Sequence, residues 1–362
     1  MPGPAVGAAH AATTSDVVCL GESMVTFLPS QPGRLADVPS FGRAIGGAES
    51  NVACALAASG HRAKWVSRVG ADGFGDHLIE AISRYGVDTS AVERDPARPT
   101  GIYFRTATDR ATDTHEVAYY RAGSAASAMS PANVPAEDAL CGRILHLSGI
   151  TAALSEDCLS LLHSLTAPRP GRPLISFDVN HRTGLWRDGD AAPAVLLDLA
   201  RRSDLVFVGE DEAEEAWGLC GAEAIRAALP EPGVLVVKRG AEGATVFSGP
   251  RPGPRSCDAG GAESVTTVPA LRVDVVAPVG AGDAFAAGFL SATLRELPVR
   301  DRVRYGHLMA AAVLTVPGDL TDPPARAHAD RLVALDDTAW ETLRLGPGWT
   351  AAERASEEVP TP

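Results

Sequence analysis

Hydrophobic residues in this chain fall into short continuous runs that alternate with helical patterns. The runs of strand length lie at 16–21, 63–70, 143–149, 173–180, 204–209 and 233–240. Because they are apolar at consecutive positions, they are typical of strands buried on both faces of a sheet. Helical patterns lie at 48–60, 74–85, 155–166, 191–202 and 211–219. This alternation predicts an α/β fold built from βαβ units around a mostly parallel, doubly wound sheet.

Two segments depart from this pattern. Residues 22–46 and 98–122 contain shorter stretches in which apolar and polar residues alternate, as in HEVAYYR at 115–121. Such alternation is typical of antiparallel strands with one face exposed to water. The two segments are therefore predicted to form a small sheet that projects from the main body. An exposed apolar face on this sheet could pair with a second copy of the chain, so a homo-oligomer is a further expectation.

The main domain is predicted to cover residues 16–340, with the two projecting segments inserted in it. Residues 1–15 and 345–362 are predicted to be disordered tails. A stretch rich in proline, glycine and serine at 248–264 is predicted to be a loop.

Composition and charge narrow the class of protein. The 362 residues are 45% hydrophobic and 21% charged, which is typical of a soluble globular protein. No apolar run approaches the roughly 18–20 residues that span a membrane, and no secretion signal is recognisable, so a cytoplasmic location is expected. The net charge of −13 argues against nucleic-acid and membrane partners. Six dispersed cysteines without a C-x-x-C pair argue against a disulfide framework or a zinc site.

The motif APVGAGDAFAAGF at 277–289 is the strongest candidate for chemistry. Gly280 and Gly282 allow backbone N–H groups to approach a ligand closely, and the small apolar residues after them predict a helix. Those N–H groups would then lie at a helix N-terminus, which is a ready site for an anion. Asp283 falls in the first turn of this helix, where it could cap the helix or act as a general base.

A second motif, AIGGAESNVACALAASG at 44–60, places a Gly-Gly pair before an alanine-rich helix. Close packing of the helix on a sheet explains the alanines. It does not explain Gly47 and Asn51, which lie where the hydroxyls of a sugar could be held.

Polar side chains also follow a predicted strand in SFDVNHRTGLW at 176–186. Asp178, Asn180 and Arg182 lie at the sheet edge where α/β proteins bind ligands. Asp178 and Asn180 could equally make turn hydrogen bonds, whereas the guanidinium of Arg182 could hold a carboxylate or a phosphate. The acidic cluster VGEDEAEEAWG at 208–218 is typical of the start of a helix, where negative side chains are stabilised by the helix dipole. Glu212 is its candidate site residue. No G-x-x-x-x-G-K-[ST] motif occurs, so the chain is not a P-loop enzyme.

Together these motifs resemble the ribokinase-like (PfkB) family of ATP-dependent sugar kinases over residues 16–325. GGAESNVACALAASG and VGAGDAFAAGF carry the resemblance, and their order and separation match the family. Within it the chain is most similar to 2-keto-3-deoxygluconate kinases, in IGGAESN, GIYFR, YYRAGSAAS, LHLSGIT, DVNHRTGLW and PVGAGD. The resemblance implies a three-layer α/β/α sandwich in which the projecting sheet acts as a lid.

The resemblance also implies a role for each matching residue. Asp283 would be the general base for the primary (C6) hydroxyl of the sugar, and Gly280, Ala281 and Gly282 would form the anion hole for the transferred phosphoryl group. Residues implied to hold the sugar are Gly47, Asn51, Tyr103, Tyr119, Arg121, Arg182 and Asp319. Residues implied to hold ATP are Asn180, Arg182, Lys238, Arg239, Gly240, Gly243 and His307. Glu212 would hold Mg²⁺ through water.

Three arginines suggest that the acceptor is acidic. Arg105, Arg121 and Arg182 fall in segments expected to face the acceptor, although Arg105 and Arg121 could be surface residues of an exposed sheet. A neutral sugar needs no cationic partner, whereas 2-keto-3-deoxygluconate carries a carboxylate. The orientation of its C4 hydroxyl, gluconate-type or galactonate-type, stays open.

Three positions depart from the family pattern. Ala277 stands where many members have an acidic residue in a loop associated with a monovalent cation, which argues against K⁺ activation. The usual N-x-x-E motif keeps its glutamate, Glu212, but has Gly209 for its asparagine. His307 stands where an asparagine near the adenine is common. Two other functions therefore stay open: a kinase of this type for fructose, a neutral pentose or a nucleoside, and a catalytically weak sugar- or nucleotide-binding sensor.

Overall fold

A computed structural model of the protein describes residues 15–31, 33–106, 116–186, 188–249 and 262–351. Its strands are β1 (Val17–Leu20), β2 (Met24–Pro29), β3 (Phe41–Gly46), β4 (Ala63–Gly70), β5 (Val92–Asp95), β6 (Ile102–Arg105), β7 (Val117–Tyr120), β8 (Ile144–Ser148), β9 (Leu174–Asp178), β10 (Leu205–Gly209), β11 (Val234–Lys238), β12 (Ala244–Ser248), β13 (Ser264–Val268), β14 (Arg272–Val273) and β15 (Arg344–Leu345). Its helices are α1 (Ala48–Ala58), α2 (Gly73–Arg84), α3 (Ala136–Ala139), α4 (Gly149–Leu154), α5 (Glu156–Thr166), α6 (Ala192–Arg202), α7 (Glu210–Trp217), α8 (Ala222–Ala228), α9 (Ala281–Leu294), α10 (Val299–Leu314), α11 (Arg326–Val333) and α12 (Asp337–Thr342).

A nine-stranded sheet in the order β13-β12-β11-β10-β9-β8-β1-β4-β5 forms the main body. Neighbouring strands from β11 to β5 are parallel, and β12 and β13 add an antiparallel edge. All six strands predicted from continuous apolar runs belong to this sheet. The five predicted helices correspond to α1, α2, α5, α6 and α7.

Both faces of this sheet are covered by helices. In β1 every residue is fully buried, and alternate side chains enter two different cores. Val17 and Cys19 pack in the core shared with α1, α9 and α10, whereas Val18 and Leu20 pack in the core shared with α5 and α6. This burial explains why the strand is apolar at consecutive positions, and it confirms the predicted three layers.

A separate four-stranded sheet in the order β3-β2-β6-β7 forms the lid. β2 pairs with β3 in antiparallel and with β6 in parallel fashion, and β6 pairs with β7. The two predicted segments thus come together as one small sheet. Tyr120 in β7 is 64% exposed, and a homo-oligomer through this sheet stays a prediction.

The C-terminal boundary differs from the prediction of a tail starting at 345. Leu345 pairs with Val273 and is buried, and Trp349 is buried as well. Two large apolar side chains therefore hold the chain against the domain as far as about residue 349. Residues 1–14 and 352–362 of the predicted tails, and 250–261 of the predicted loop, lie outside the described residues.

Helix α10 was not predicted, because its buried face is partly polar. Arg304 in α10 is 1% exposed. It donates to the carbonyl of Val333 at 2.8 Å and stacks over the ring of Trp340 at 4.5 Å. These partners stabilise the buried guanidinium. An arginine on the buried face nevertheless interrupts the apolar stripe by which the sequence would predict the helix. No helix within the described ranges is long and apolar enough to cross a membrane.

Gly288 allows α9 to lie directly against α10. A Cβ atom at this position would lie 2.4 Å from the carbonyl oxygen of Tyr305. We expect Gly288→Ala to lower the free energy of unfolding by about 1–3 kcal/mol, measured in urea, because the helices must separate. Gly73→Ala in α2 is the control, because a Cβ there meets nothing within 4 Å and should leave stability unchanged or slightly raised. Equal losses in both variants would contradict this close packing.

Candidate active site

A cavity of about 670 Å³ opens where the carboxyl ends of the main strands meet the lid. Asp178 ends β9, Lys238 ends β11, and both side chains line this cavity. The first turns of α1 and α9 form its floor, and Tyr103 of β6 closes it from the lid side. Ligands of doubly wound α/β folds bind at this edge of the sheet.

Asp283 lies in the first turn of α9 and faces the cavity. Its Oδ2 accepts a hydrogen bond of 2.9 Å from Nδ2 of Asn51, in the first turns of α1. Burial raises the pKa of Asp283 to about 7, helped by the negative charges of Asp178 and Asp319. The Asn51 bond and the charge of Lys238 act in the opposite direction and favour the ionised form. A carboxyl group with such a pKa can take up and release a proton near neutral pH.

The turn before α9 depends on glycine. Gly280 caps the helix with φ 79°, in the left-handed region. A Cβ on Gly280 would also lie 2.6 Å from the carbonyl oxygen of Asp319. At Gly282 the nearest atom to an added Cβ is Nζ of Lys238, at 3.7 Å. The N–H groups at the start of α9 therefore lie near the ammonium group of Lys238. Together they favour the binding of an anionic group.

Lys238 and Asp178 form an ion pair across the end of the sheet. Nζ of Lys238 donates to both carboxylate oxygens of Asp178, at 3.0 and 3.1 Å. Burial disfavours the charge on Lys238, but Asp178, Glu212 and Asp283 outweigh it and raise the pKa of Lys238. The lysine is therefore a permanent positive charge in the cavity at physiological pH.

Three more polar residues line the cavity beside this pair. Glu212 accepts a hydrogen bond of 2.9 Å from the N–H of Gly209, and its other oxygen lies 3.6 Å from Arg182. Burial and the neighbouring Asp178 raise the pKa of Glu212, against the lowering effect of Lys238. Asn180 adopts φ 40°, and its buried Oδ1 has no hydrogen-bond partner among the described residues. A strained backbone and an unsatisfied buried oxygen are typical of a ligand site.

One ion pair joins the lid to the main body, and a second joins the two lid segments to each other. Asp319 accepts from Arg105 at 2.6 Å and from the hydroxyl of Tyr103 at 3.3 Å. Arg121 donates from Nε to buried Glu22 at 2.7 Å. Arg105 is buried and does not line the cavity, which differs from the prediction that it faces the acceptor. Its buried partner Asp319 holds the guanidinium there, since an unpaired buried charge is costly.

Most of the predicted site residues come together. Those that line the cavity are Gly47, Asn51, Tyr103, Tyr119, Arg121, Asn180, Arg182, Glu212, Lys238, Gly280, Ala281, Gly282, Asp283 and Asp319. Arg239, Gly240 and Gly243 belong to the turn between β11 and β12 and do not line it.

His307 is also absent from the cavity wall. It is buried, its Nε2 lies 3.3 Å from the carbonyl oxygen of Val268, and its ring packs against Phe285. Burial lowers the pKa of His307 to about 4, so the ring is neutral at physiological pH.

Sequence reasoning missed Glu22 and Ile150 as cavity residues and Asp178 as the partner of Lys238. The signal for the ion pair was available, because Lys238 is one of only two lysines and ends a buried strand. Glu22 gave no such signal, because its partner Arg121 lies 99 residues away in another element. No cluster of three or more histidine, cysteine or acidic side chains suited to a metal occurs in the described part of the chain.

The α/β sandwich with its lid has a ribokinase-like fold. Residues 14–326 match the pfkB family carbohydrate kinases. The chain is 35% identical over 316 residues to the 2-dehydro-3-deoxygluconokinase of Bacillus subtilis (strain 168), which covers 86% of this chain and 93% of that relative. It is 33% identical over 320 residues to the enzyme of the same name from Thermoproteus tenax, which covers 88% of this chain and 94% of the relative.

Comparison with a solved structure also indicates the pfkB family. The PfkB protein from Polaromonas sp. JS666 is 33% identical and superposes with a TM-score of 0.74, covering 87% of this chain and 99% of that one. The chain belongs to the pfkB family of carbohydrate kinases. It is accordingly a sugar kinase that transfers a phosphoryl group to a hydroxyl group.

Proposed function

We propose that this kinase transfers the γ-phosphoryl group of ATP to the C6 hydroxyl of 2-keto-3-deoxy-D-gluconate, in the cytoplasm. The observation that carries the chemistry is Asp283, a cavity-facing carboxyl bonded to Asn51 at the start of α9. The choice of acceptor is supported by relatives named 2-dehydro-3-deoxygluconokinase, at 33–35% identity over most of the chain.

Asp283 is the general base in this proposal. Its carboxylate takes the proton of the C6 hydroxyl as the hydroxyl oxygen attacks phosphorus. Asn51 holds the carboxylate through Oδ2, which leaves the other oxygen, Oδ1, for the hydroxyl. Burial keeps the pKa of Asp283 at about 7, so the ionised form is a stronger base than an ordinary aspartate.

The N–H groups around Gly280, Ala281 and Gly282 form the anion hole. They are fixed by the left-handed turn at Gly280 and by the helix behind it, so they need no rearrangement as charge develops. Lys238 adds a positive charge on the same side. Because its side chain is held by Asp178, the ammonium group stays in one position.

The residues present suit a divalent metal held in part by its substrate. Mg²⁺ is usually bound by one or two carboxylates, with waters and phosphate oxygens filling the other positions. Glu212 and the unpartnered Oδ1 of Asn180 are the oxygens of this chain that would hold it. When bound, Mg²⁺ neutralises charge on the phosphate oxygens. Arg239, Gly240 and Gly243 would flank the nucleotide, while buried His307 would act only through the packing behind it.

The acidic acceptor is held by Arg182 and Arg121 in this proposal. Arg182 is 55% exposed and its nearest carboxylate oxygen is 3.6 Å away, so its charge is available to a ligand. Arg121 faces the cavity but shares its charge with Glu22. Gly47, Asn51, Tyr103 and Tyr119 offer the remaining contacts for hydroxyl groups. Ala277 supplies no side-chain oxygen, so the proposal includes no requirement for K⁺.

Removal of the base tests the mechanism. We expect Asp283→Ala to lower kcat by about 10²–10⁴-fold and to leave KM for the sugar largely unchanged. In the wild type, kcat/KM should decrease as the pH is lowered, with a midpoint at about pH 7, because the base must be ionised. Asn51→Ala should move this midpoint upward, because the lost hydrogen bond favours the ionised carboxylate.

Asp157→Ala is the matched control, because Asp157 also lies in the first turn of a helix, α5, but is exposed and does not line the cavity. It should change neither kcat nor the midpoint. Near wild-type turnover in Asp283→Ala would contradict the assignment of the base.

Arg121 tests the charge of the acceptor. Removing it alone would leave Glu22, which is 2% exposed, as an unpaired buried charge, so both members of the pair are changed together. We expect the Glu22→Gln, Arg121→Gln double variant to have a KM for the sugar acid about tenfold or more above that of Glu22→Gln alone, since a charged hydrogen bond is lost. Activity would be followed as ADP release with 2-keto-3-deoxygluconate and with fructose.

The Glu22→Gln variant is the control, because it keeps the guanidinium and frees it from its carboxylate. Its KM for the sugar acid should be lower than that of the wild-type enzyme. KM for fructose should be equal in both variants. A preference for fructose over the sugar acid in the wild-type enzyme would favour a neutral acceptor instead.

A further inference from the structure

A second cavity lies away from the active site, between helices α1, α9, α10 and α11. Its volume is about 260 Å³, and we refer to it as the helix cavity. One wall is apolar, formed by Leu308 and Met309 of α10 and by Pro323 and Pro324. This wall suits the apolar body of a small organic molecule.

The lining of the helix cavity also includes buried polar groups. Tyr305 is 6% exposed, and its hydroxyl accepts from Arg295 at 2.6 Å and donates to Asp330. Ser291 is 7% exposed, and its Oγ lies 2.8 Å from Nε2 of His61. These partners hold the hydroxyl groups at fixed positions in the cavity wall. The helix cavity is therefore ordered and partly polar.

The charge of the helix cavity is positive. The carboxylate of Asp330 balances the charge of Arg295, with Oδ1 lying 2.8 Å from the guanidinium nitrogen Nη2. Arg326 also lines the cavity and donates to the carbonyl oxygen of Ser59 at 3.0 Å, but it forms no ion pair within the described residues. One guanidinium charge is thus unbalanced, in a chain whose net charge is −13.

The two helices that carry the catalytic pair both reach this cavity. α1 holds Asn51 near its start, and Ala58 and Ser59 at its end line the helix cavity. α9 holds Asp283 in its first turn, and Gly288 and Ser291 farther along line the helix cavity. A molecule placed between these helices touches both, so its binding depends on how they sit against each other. The same spacing sets the hydrogen bond from Asn51 to Asp283.

We propose that the helix cavity is an effector site for a small organic monocarboxylate with a compact apolar body, and that its occupation favours the arrangement in which Asn51 bonds Asp283. The carboxylate pairs with Arg326 and the body packs on Leu308 and Met309. A ligand that binds one arrangement of two helices stabilises that arrangement by its difference in affinity. The binding site stands on its own, whereas the effect on turnover rests on the proposed function.

Benzoate and benzamide form a matched pair of probes, because they share a shape and differ in charge. We expect benzoate to bind the full-length protein at least about tenfold more tightly than benzamide, measured by calorimetry, since only benzoate makes a charged hydrogen bond. Arg326→Gln should abolish this preference. Arg331→Gln is the control, because Arg331 belongs to the same helix but does not line the cavity, and it should retain the preference.

A second variant tests the location. Ala58→Leu adds volume inside the helix cavity, so it should weaken the binding of both probes. Equal affinity of benzoate for the wild type, Arg326→Gln and Ala58→Leu would overturn the proposed site. Equal affinity of benzoate and benzamide for the wild type would overturn the charge assigned to the ligand.

Activity tests the coupling separately. In the wild type, benzoate should move the acid midpoint of kcat/KM to lower pH, because a firmer Asn51 bond favours ionised Asp283. It should have no such effect in Ala58→Leu. Tight, charge-dependent binding without movement of the midpoint would overturn the coupling. If the chain phosphorylates no sugar, the proposed function fails, while the calorimetric comparison still decides the binding site.

Discussion

The hydrogen bond between Asn51 and Asp283 is the interaction on which the rest of the site depends. It joins the first turns of α1 and α9, which are 232 residues apart in sequence, at 2.9 Å. It fixes one oxygen of a carboxyl group that burial would otherwise neutralise, and it opposes the rise in the pKa of Asp283 to about 7. The helix N-terminus and Lys238 then supply a positive field, which suits the phosphoryl group of the proposed reaction. Moving either helix would disturb all of these together.

Small residues allow the two helices to come this close. α1 contributes alanines such as Ala53, which is fully buried, and α9 contributes the buried alanines Ala286 and Ala287. The glycine turn at Gly280 adds a second constraint, because the backbone of Asp319 lies against it. Since Asp319 also binds Arg105 and Tyr103 of the lid, one residue connects the lid with the turn that begins α9. The geometry of the site is thus set by backbone contacts as much as by its polar side chains.

The sheet and most of the site could be predicted from the sequence because their signals are local. Apolar runs gave β1, β4 and β8–β11, and the glycine motifs located Asp283 and Asn51. What could not be predicted depends on contacts between distant segments. The pairing of Arg121 with Glu22 and of Arg105 with Asp319 removes much of the positive charge that the sequence seemed to offer an acceptor. The burial of Leu345 and Trp349 likewise has no local signal, because it depends on a surface that other elements build.

The titration of the Asp283 carboxyl group is the most direct test of this description. The ¹³C carboxyl signals of labelled aspartate would be followed from about pH 2.5 to 9 in the full-length protein, so that an ordinary aspartate midpoint is also covered, with Asp283→Asn used to assign the signal. We expect a midpoint at about 7, and a higher midpoint when Asn51 is replaced by alanine. A carboxyl group that titrates near the ordinary aspartate value of about 3.9 would contradict a desolvated, Asn51-bonded Asp283 and, with it, the proposed base.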